Sequence, residues 1–113
     1  MLTITQESIG EVAVLKLKGT MMGEPETSDF HEQKFRLLDS GRVNLVLDLS
    51  ELKMINSYGL GALIAALVTT RKKGGDIRLA HVSKEIDQVI ETVQLDKIFK
   101  IFRTVEQAAT SFY

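Results

Sequence analysis

The chain has 113 residues, 44% hydrophobic and 26% charged, with Lys+Arg 14 against Asp+Glu 15 and a net charge of -1. That length and composition suit one globular domain, residues 1–113, with its own core, and the charge balance excludes the basic field used for direct nucleic-acid binding. With no cysteine there are no disulfides or thiolate metal sites, and no apolar run is long enough for membrane insertion, so a cytoplasmic protein is expected.

Leu2 to Glu7 alternates, with Leu2, Ile4 and Gln6 on one face and threonines on the other. Val12 to Leu17 reads as a second strand, and the short Ile9-Gly10 connection makes the two an antiparallel hairpin. Gly19 ends the second strand and opens Thr20-Met21-Met22-Gly23. Pro25, the only proline, suits the first turn of a helix. Phe30, Lys34, Leu37 and Leu38 share one helical face, with the lysine stem along apolar surface. Gly41 is placed for a left-handed C-terminal cap.

Val43 to Leu49 is apolar on both faces, as a central parallel strand requires. A short irregular passage then leads to a helix beginning near Ser57. Its expected inward stripe is Leu60, Leu63, Ile64, Leu67 and Val68, with Ala62, Ala65, Ala66 and Thr69 outward. Arg71-Lys72-Lys73 suits the C-terminal dipole as a solvated helix end, and Gly74-Gly75 stops the helix. Ile77 to Val82 is another strand. Ile86, Val89, Ile90 and Val93 form a third amphipathic helix behind a Ser83 cap. Ile98 to Phe102 reads as a last strand, and Thr104 with Gln107 forms a capping-box pattern before a fourth helix. The sum is an α/β domain, a mixed, mostly parallel five-stranded sheet with about four helices.

Ser57 falls where strand leads into helix, the place where parallel sheets gather functional groups. Its plain structural role would be to cap the helix. Gly59 and Gly61 argue for more, since each interior glycine costs a helix about 0.8–1.0 kcal/mol relative to alanine. They suit a helix start approached closely by another molecule. Free N–H groups and the helix dipole would also tolerate a phosphate on Ser57.

The run L-D-L-S-x-x-x-x-I-N-S-x-G-L-G-x-L from Leu47 closely resembles the STAS-domain signature of bacterial anti-sigma factor antagonists. The resemblance continues through G-G-D-I-R-L-A-H-V and L-D-K-I-F-K-I-F-R-T-V-E-Q-A-A, and is weakest between Thr20 and Arg36. It implies a STAS-like fold and a non-enzymatic binding protein. It also implies an anti-sigma factor/serine kinase as partner, phosphorylation of Ser57 as the off-switch, and a serine phosphatase that resets it. Asn56, Ser57, Tyr58, Gly59, Gly61 and Ala62 would form the docking surface, with Met22 and Gly23 as a second contact. Asn56 stands where many relatives carry aspartate and is expected to orient the serine hydroxyl. Tyr58 replaces a small residue, as a binding anchor or an obstruction to the kinase. Met21-Met22 stands where an acidic residue is frequent and is read as core ahead of interface. No cofactor or metal is implied, and a homodimer stays open.

Two enzymatic readings find little support. A serine hydrolase would need glycine two residues before Ser57, where Ile55 stands, and only His31 or His81 as base. Gly59-Leu60-Gly61 lacks the third glycine of a dinucleotide fingerprint. Asp48 has no second ligand at metal-binding spacing and reads as a strand-end carboxylate bonded to nearby backbone. The alternative is a STAS scaffold or adaptor that is never phosphorylated, one subunit of a signalling or lipid-transport assembly.

Overall fold

A computed structural model describes all residues, 1–113. β1 (Leu2–Ile9) and β2 (Val12–Met21) form the hairpin. Then follow α1 (Glu26–Asp39), β3 (Asn44–Ile55), α2 (Ser57–Lys72), β4 (Asp76–Ala80) and α3 (Lys84–Thr92). A single 3-10 turn at Leu95–Lys97, β5 (Ile101–Phe102) and α4 (Val105–Thr110) complete the chain. The strands lie in the order β1-β2-β3-β4-β5, antiparallel at the hairpin and parallel elsewhere. The five strands and four helices are those expected.

β3 is central and buried on both faces. Leu45, Leu47 and Leu49 enter the larger core with Leu15, Leu17, Phe30, Leu63, Ile77 and Ile90. Val46 points the other way, into a smaller cluster with Val12, Val14, Ala80, Ala108 and Ala109. One side of the sheet is thus packed by α1, α2 and α3, and the other by α4 alone. Arg78 steadies α4 by donating to Ser111 Oγ at 2.6 Å and stacking 4.0 Å over the Phe112 ring.

Several local expectations hold. Gly41 has φ +88°, and the Gly41 and Arg42 N–H groups reach the Leu38 and Leu37 carbonyls, the paired bonds of a glycine C-cap. The Ser83 and Thr104 hydroxyls accept from the Ile86 and Gln107 N–H groups. Lys34 is buried along its stem, and loss of water pushes its ammonium pKa down.

Others need correction. β3 does not end at Leu49 but runs on to Ile55, because the pairing with β2 slips at a bulge between Lys16 and Lys18 and resumes at Glu51. Leu49 and Leu52 therefore face the same core three residues apart, which hides the strand from a search for alternation. The last strand is two residues rather than five: Ile98 caps a 3-10 turn at Leu95–Lys97, and pairing with β4 begins only at Ile101. Val93 and Val68 are exposed rather than inward. Arg71 is no free helix end: it pairs with Asp76 at 3.0 Å and donates to the Ile98 carbonyl at 2.8 Å.

Candidate functional site

The bulged extension of β3 carries the chain past the sheet to Asn56, from which α2 departs. Asn56, not Ser57, is the helix cap. Its backbone is extended, and its Oδ1 accepts from the Tyr58 N–H at 3.0 Å and the Gly59 N–H at 3.1 Å. Ser57 is the first helical residue, with its hydroxyl exposed to solvent. Two donors expected to be free at this helix start are thus already engaged by the Asn56 amide. The other end of that amide, Nδ2, donates to the Met22 carbonyl at 2.7 Å. Asn56 therefore does not orient the serine hydroxyl, because both ends of its side chain bond backbone.

The two glycines have separate reasons. A Cβ at Gly59 would lie 2.3 Å from the Met21 carbonyl oxygen and 2.6 Å from Ile55 Cγ1. Gly59 is buried, and it lets α2 start hard against the ends of β2 and β3. A Cβ at Gly61 would meet nothing within 4 Å, so that position is open to an incoming surface.

The expected docking residues divide the same way. Ser57 and Tyr58 are exposed, Tyr58 at 73%, and Asn56 is half-buried. Met22 is 37% exposed while Met21 is fully buried, so the pair splits into one surface and one core residue. Gly23, with φ +154°, is half-buried beside Met22. Ala62 is only 5% exposed and belongs to the core with Ala66. It offers a partner almost no surface, because the inward face of α2 is turned toward its small residues. Ala65 and Thr69 do face outward.

Met54 was absent from the expected surface. It lies on the β3 extension, paired with Thr20 of β2, and is 55% exposed. With Met22 and Tyr58 it gives this end of the sheet three exposed, adaptable or aromatic side chains. The sequence signal was its position in K-M-I-N-S, one apolar residue outside the main alternation.

The surrounding electrostatics are mild. Lys16 and Glu51 pair across the bulge at 2.8 Å, with the lysine pKa raised by its hydrogen bond and charge attraction to Glu51, and the carboxyl lowered in turn. Glu26, the first residue of α1, is held down to about 2 by its bonds to the Met1 amino group, the Met22 N–H and the Thr20 hydroxyl. Neither candidate histidine hydrogen-bonds to Ser57. His31 lies on α1 against Phe30, with ring centroids 5.7 Å apart. Its pKa is lowered by burial and by the charge of Lys34. His81 lines a groove of about 380 Å³ with Lys16, Asp48, Thr104 and Glu106, and no residue of the Ser57 loop borders it. Asp48 accepts from the Ser50 N–H at 3.0 Å, the local backbone bond expected of it.

Comparison with known proteins agrees with this architecture. A Thermotoga maritima protein named as a candidate anti-sigma factor antagonist is 30% identical over 71 residues, covering 63% of this chain and 63% of that relative. A crystal structure from the same organism, of a candidate anti-sigma factor antagonist, superposes with a TM-score of 0.87 at 23% identity, covering 96% of this chain and 92% of that one. The Bacillus cell fate determinant SpoIIAA in its phosphorylated form superposes with a TM-score of 0.76 at 16% identity, covering 98% and 100%. At those identities the two structures establish the fold alone. The STAS domain profile matches residues 3–108, from β1 into α4, and on that match the chain belongs to the STAS domain family.

Proposed function

We propose that this protein is an anti-sigma factor antagonist, which docks through the start of α2 onto an anti-sigma factor that is also a serine kinase. Phosphorylation of Ser57 by that partner ends the binding, and a serine phosphatase restores it. The protein acts in the cytoplasm by binding and has no catalytic role. The observation that carries the reading is the exposed Ser57 at the start of α2, at the end of the sheet where Met22, Met54 and Tyr58 are exposed as well and Gly61 leaves an open position. Exposed apolar and aromatic side chains at the end of the sheet that carries the serine suit an interface whose core is desolvated on docking. A phosphate there adds nearly two negative charges at pH 7 and removes binding by desolvation and repulsion. The fold survives because the modified atom is already in water and sits at the positive end of a helix.

Two measurements test this. Intact-mass analysis after incubation with the cognate kinase and ATP should show one added phosphate, absent in Ser57→Ala. Ser57→Asp should fold with unchanged thermal stability and bind the kinase at least about tenfold more weakly, a loss of about 1.4 kcal/mol, by calorimetry. No phosphate on the wild type, or the same phosphate on Ser57→Ala, would leave a scaffold that uses the same face without the switch.

A further inference from the structure

Met22 lies beyond the end of β2, where no backbone group of another residue holds it. Two side chains do so instead, from opposite sides. Its N–H donates to Glu26 Oε1 at 2.9 Å, and its carbonyl accepts from Asn56 Nδ2 at 2.7 Å. Glu26 opens α1 and Asn56 caps α2, so the backbone of one residue joins the starts of the two helices.

Neither side chain is explained by its own helix. A cap needs only an acceptor, which serine or aspartate would supply, yet residue 56 uses an amide whose donor end goes to Met22. An acidic residue at the start of α1 would favour the helix dipole while pointing into water. Glu26 is instead turned inward and is only 9% exposed. Its second oxygen accepts from Thr20 Oγ1 at 3.0 Å and lies 2.5 Å from the Met1 amino group. An acceptor at one side and a donor at the other match the free N–H and C=O of one residue, which lie in the two successive peptide units flanking the Met22 Cα.

We infer that Glu26 and Asn56 are a coupled pair of positioning residues, which hold the Met22 backbone on both sides of its Cα and so fix Met22 relative to Tyr58 and Met54 before a protein partner arrives. Its value for docking rests on the function proposed above: ordering the segment in advance removes that entropy cost from the binding step. The clamp itself exists in the free chain. It accounts for asparagine at position 56, since aspartate would keep the cap and set a carboxylate against the Met22 carbonyl oxygen.

Amide hydrogen exchange on the isolated chain tests it, followed residue by residue by NMR in wild type, Glu26→Ala, Asn56→Asp and the double variant. The Met22 N–H should be protected in wild type and exchange about tenfold faster in Glu26→Ala, the size expected from one net hydrogen bond. Asn56→Asp should loosen the same N–H, although Asn56 bonds only the Met22 carbonyl, which belongs to the next peptide unit. The double variant should then exchange no faster than the faster single one. Amides of Leu47 and Leu49 in β3 serve as the control for folding. Unchanged Met22 exchange in Asn56→Asp, or multiplying effects in the double variant, would overturn the coupling. A wild-type chain that binds no kinase would refute the docking function instead, and the exchange result on the free chain would be the same.

Discussion

Gly59 and Gly61 are two residues apart on one helix, and alanine should act in opposite directions at the two positions. In an unobstructed helix interior, replacing glycine by alanine gains about 0.8–1.0 kcal/mol. Gly61→Ala should collect that gain, because its new methyl group meets nothing within 4 Å. At Gly59 the methyl would stand 2.3 Å from the Met21 carbonyl oxygen, about 1 Å inside ordinary contact. Met21 is paired with Ile55 across β2 and β3, so its backbone cannot yield without disturbing the sheet. Overpacking of this kind costs typically 1–3 kcal/mol, and the propensity gain offsets only part of it. A backbone contact this short falls in the upper part of that range, about 2–3 kcal/mol, so Gly59→Ala should lose about 1–2 kcal/mol net, leaving the two variants about 2–3 kcal/mol apart. Urea unfolding at neutral pH reads the difference directly. With a slope of about 1–3 kcal/mol per M, the midpoints should differ by about 1 M or more. A Gly59→Ala midpoint at or above wild type would refute the packing account of the glycine. The same pair also separates stability from docking: Gly61→Ala should be the more stable protein and, by placing a methyl on the open face, the weaker binder.

Three further outcomes are expected. Glu26 has a folded pKa of about 2 against about 4.3 in an unfolded chain. Its contribution is thus fully present above the unfolded value and is lost as pH falls from there toward the folded one. Urea midpoints from pH 7 down to pH 2.5 should accordingly fall less steeply in Glu26→Gln than in wild type; parallel curves would remove Glu26 as a source of acid sensitivity. Met54→Ser should change stability by no more than about 0.5 kcal/mol, as at other exposed positions. It should nevertheless weaken kinase binding about tenfold by calorimetry, and unchanged affinity would remove Met54 from the interface. Phe30→Ala, at a fully buried side chain in the larger core, should cost about 3–5 kcal/mol in chemical denaturation, and a loss below 1 kcal/mol would contradict its packing role.

The sequence made the sheet legible wherever period and burial agreed. Val43 to Leu49 could be placed at the centre because both of its faces were apolar, and the hairpin, the Gly41 stop and the Ser83 and Thr104 caps each had a local chemical signature. Legibility failed where tertiary packing overrides local pattern. The bulge between Lys16 and Lys18 breaks strict alternation, so the polar-looking S-E-L-K-M-I run concealed the far half of β3 and, with it, Met54. On α2, ranking residues by hydrophobicity put Val68 inside and Ala62 outside. Close packing makes the opposite choice, burying Ala62, Ala66 and Gly59 while Val68 stays exposed. At the site the sequence assigns the capping role to Ser57, although asparagine caps a helix as well as serine does. The choice fell to Asn56, whose amide also had a carbonyl to reach on a segment 34 residues earlier in the chain.

The central position of β3 also bears on the order in which the molecule assembles. β1 and β2 meet through a turn of two residues, so their pairing is local in the chain. The first β2–β3 partners, Ala13 and Leu45, can pair only after α1 and its connections have been looped between them. Closing a loop of roughly 30 residues costs about 3 kcal/mol of chain entropy before any parallel contact compensates. Hairpins form within about 1–10 μs, whereas such non-local pairing is slower. The surface around Ser57 needs the ends of β2 and β3 together with the first turn of α2, so it belongs to the later stage. On the ribosome, a chain cut short before α2 has emerged would have the residues of the hairpin but not yet the surface around Ser57.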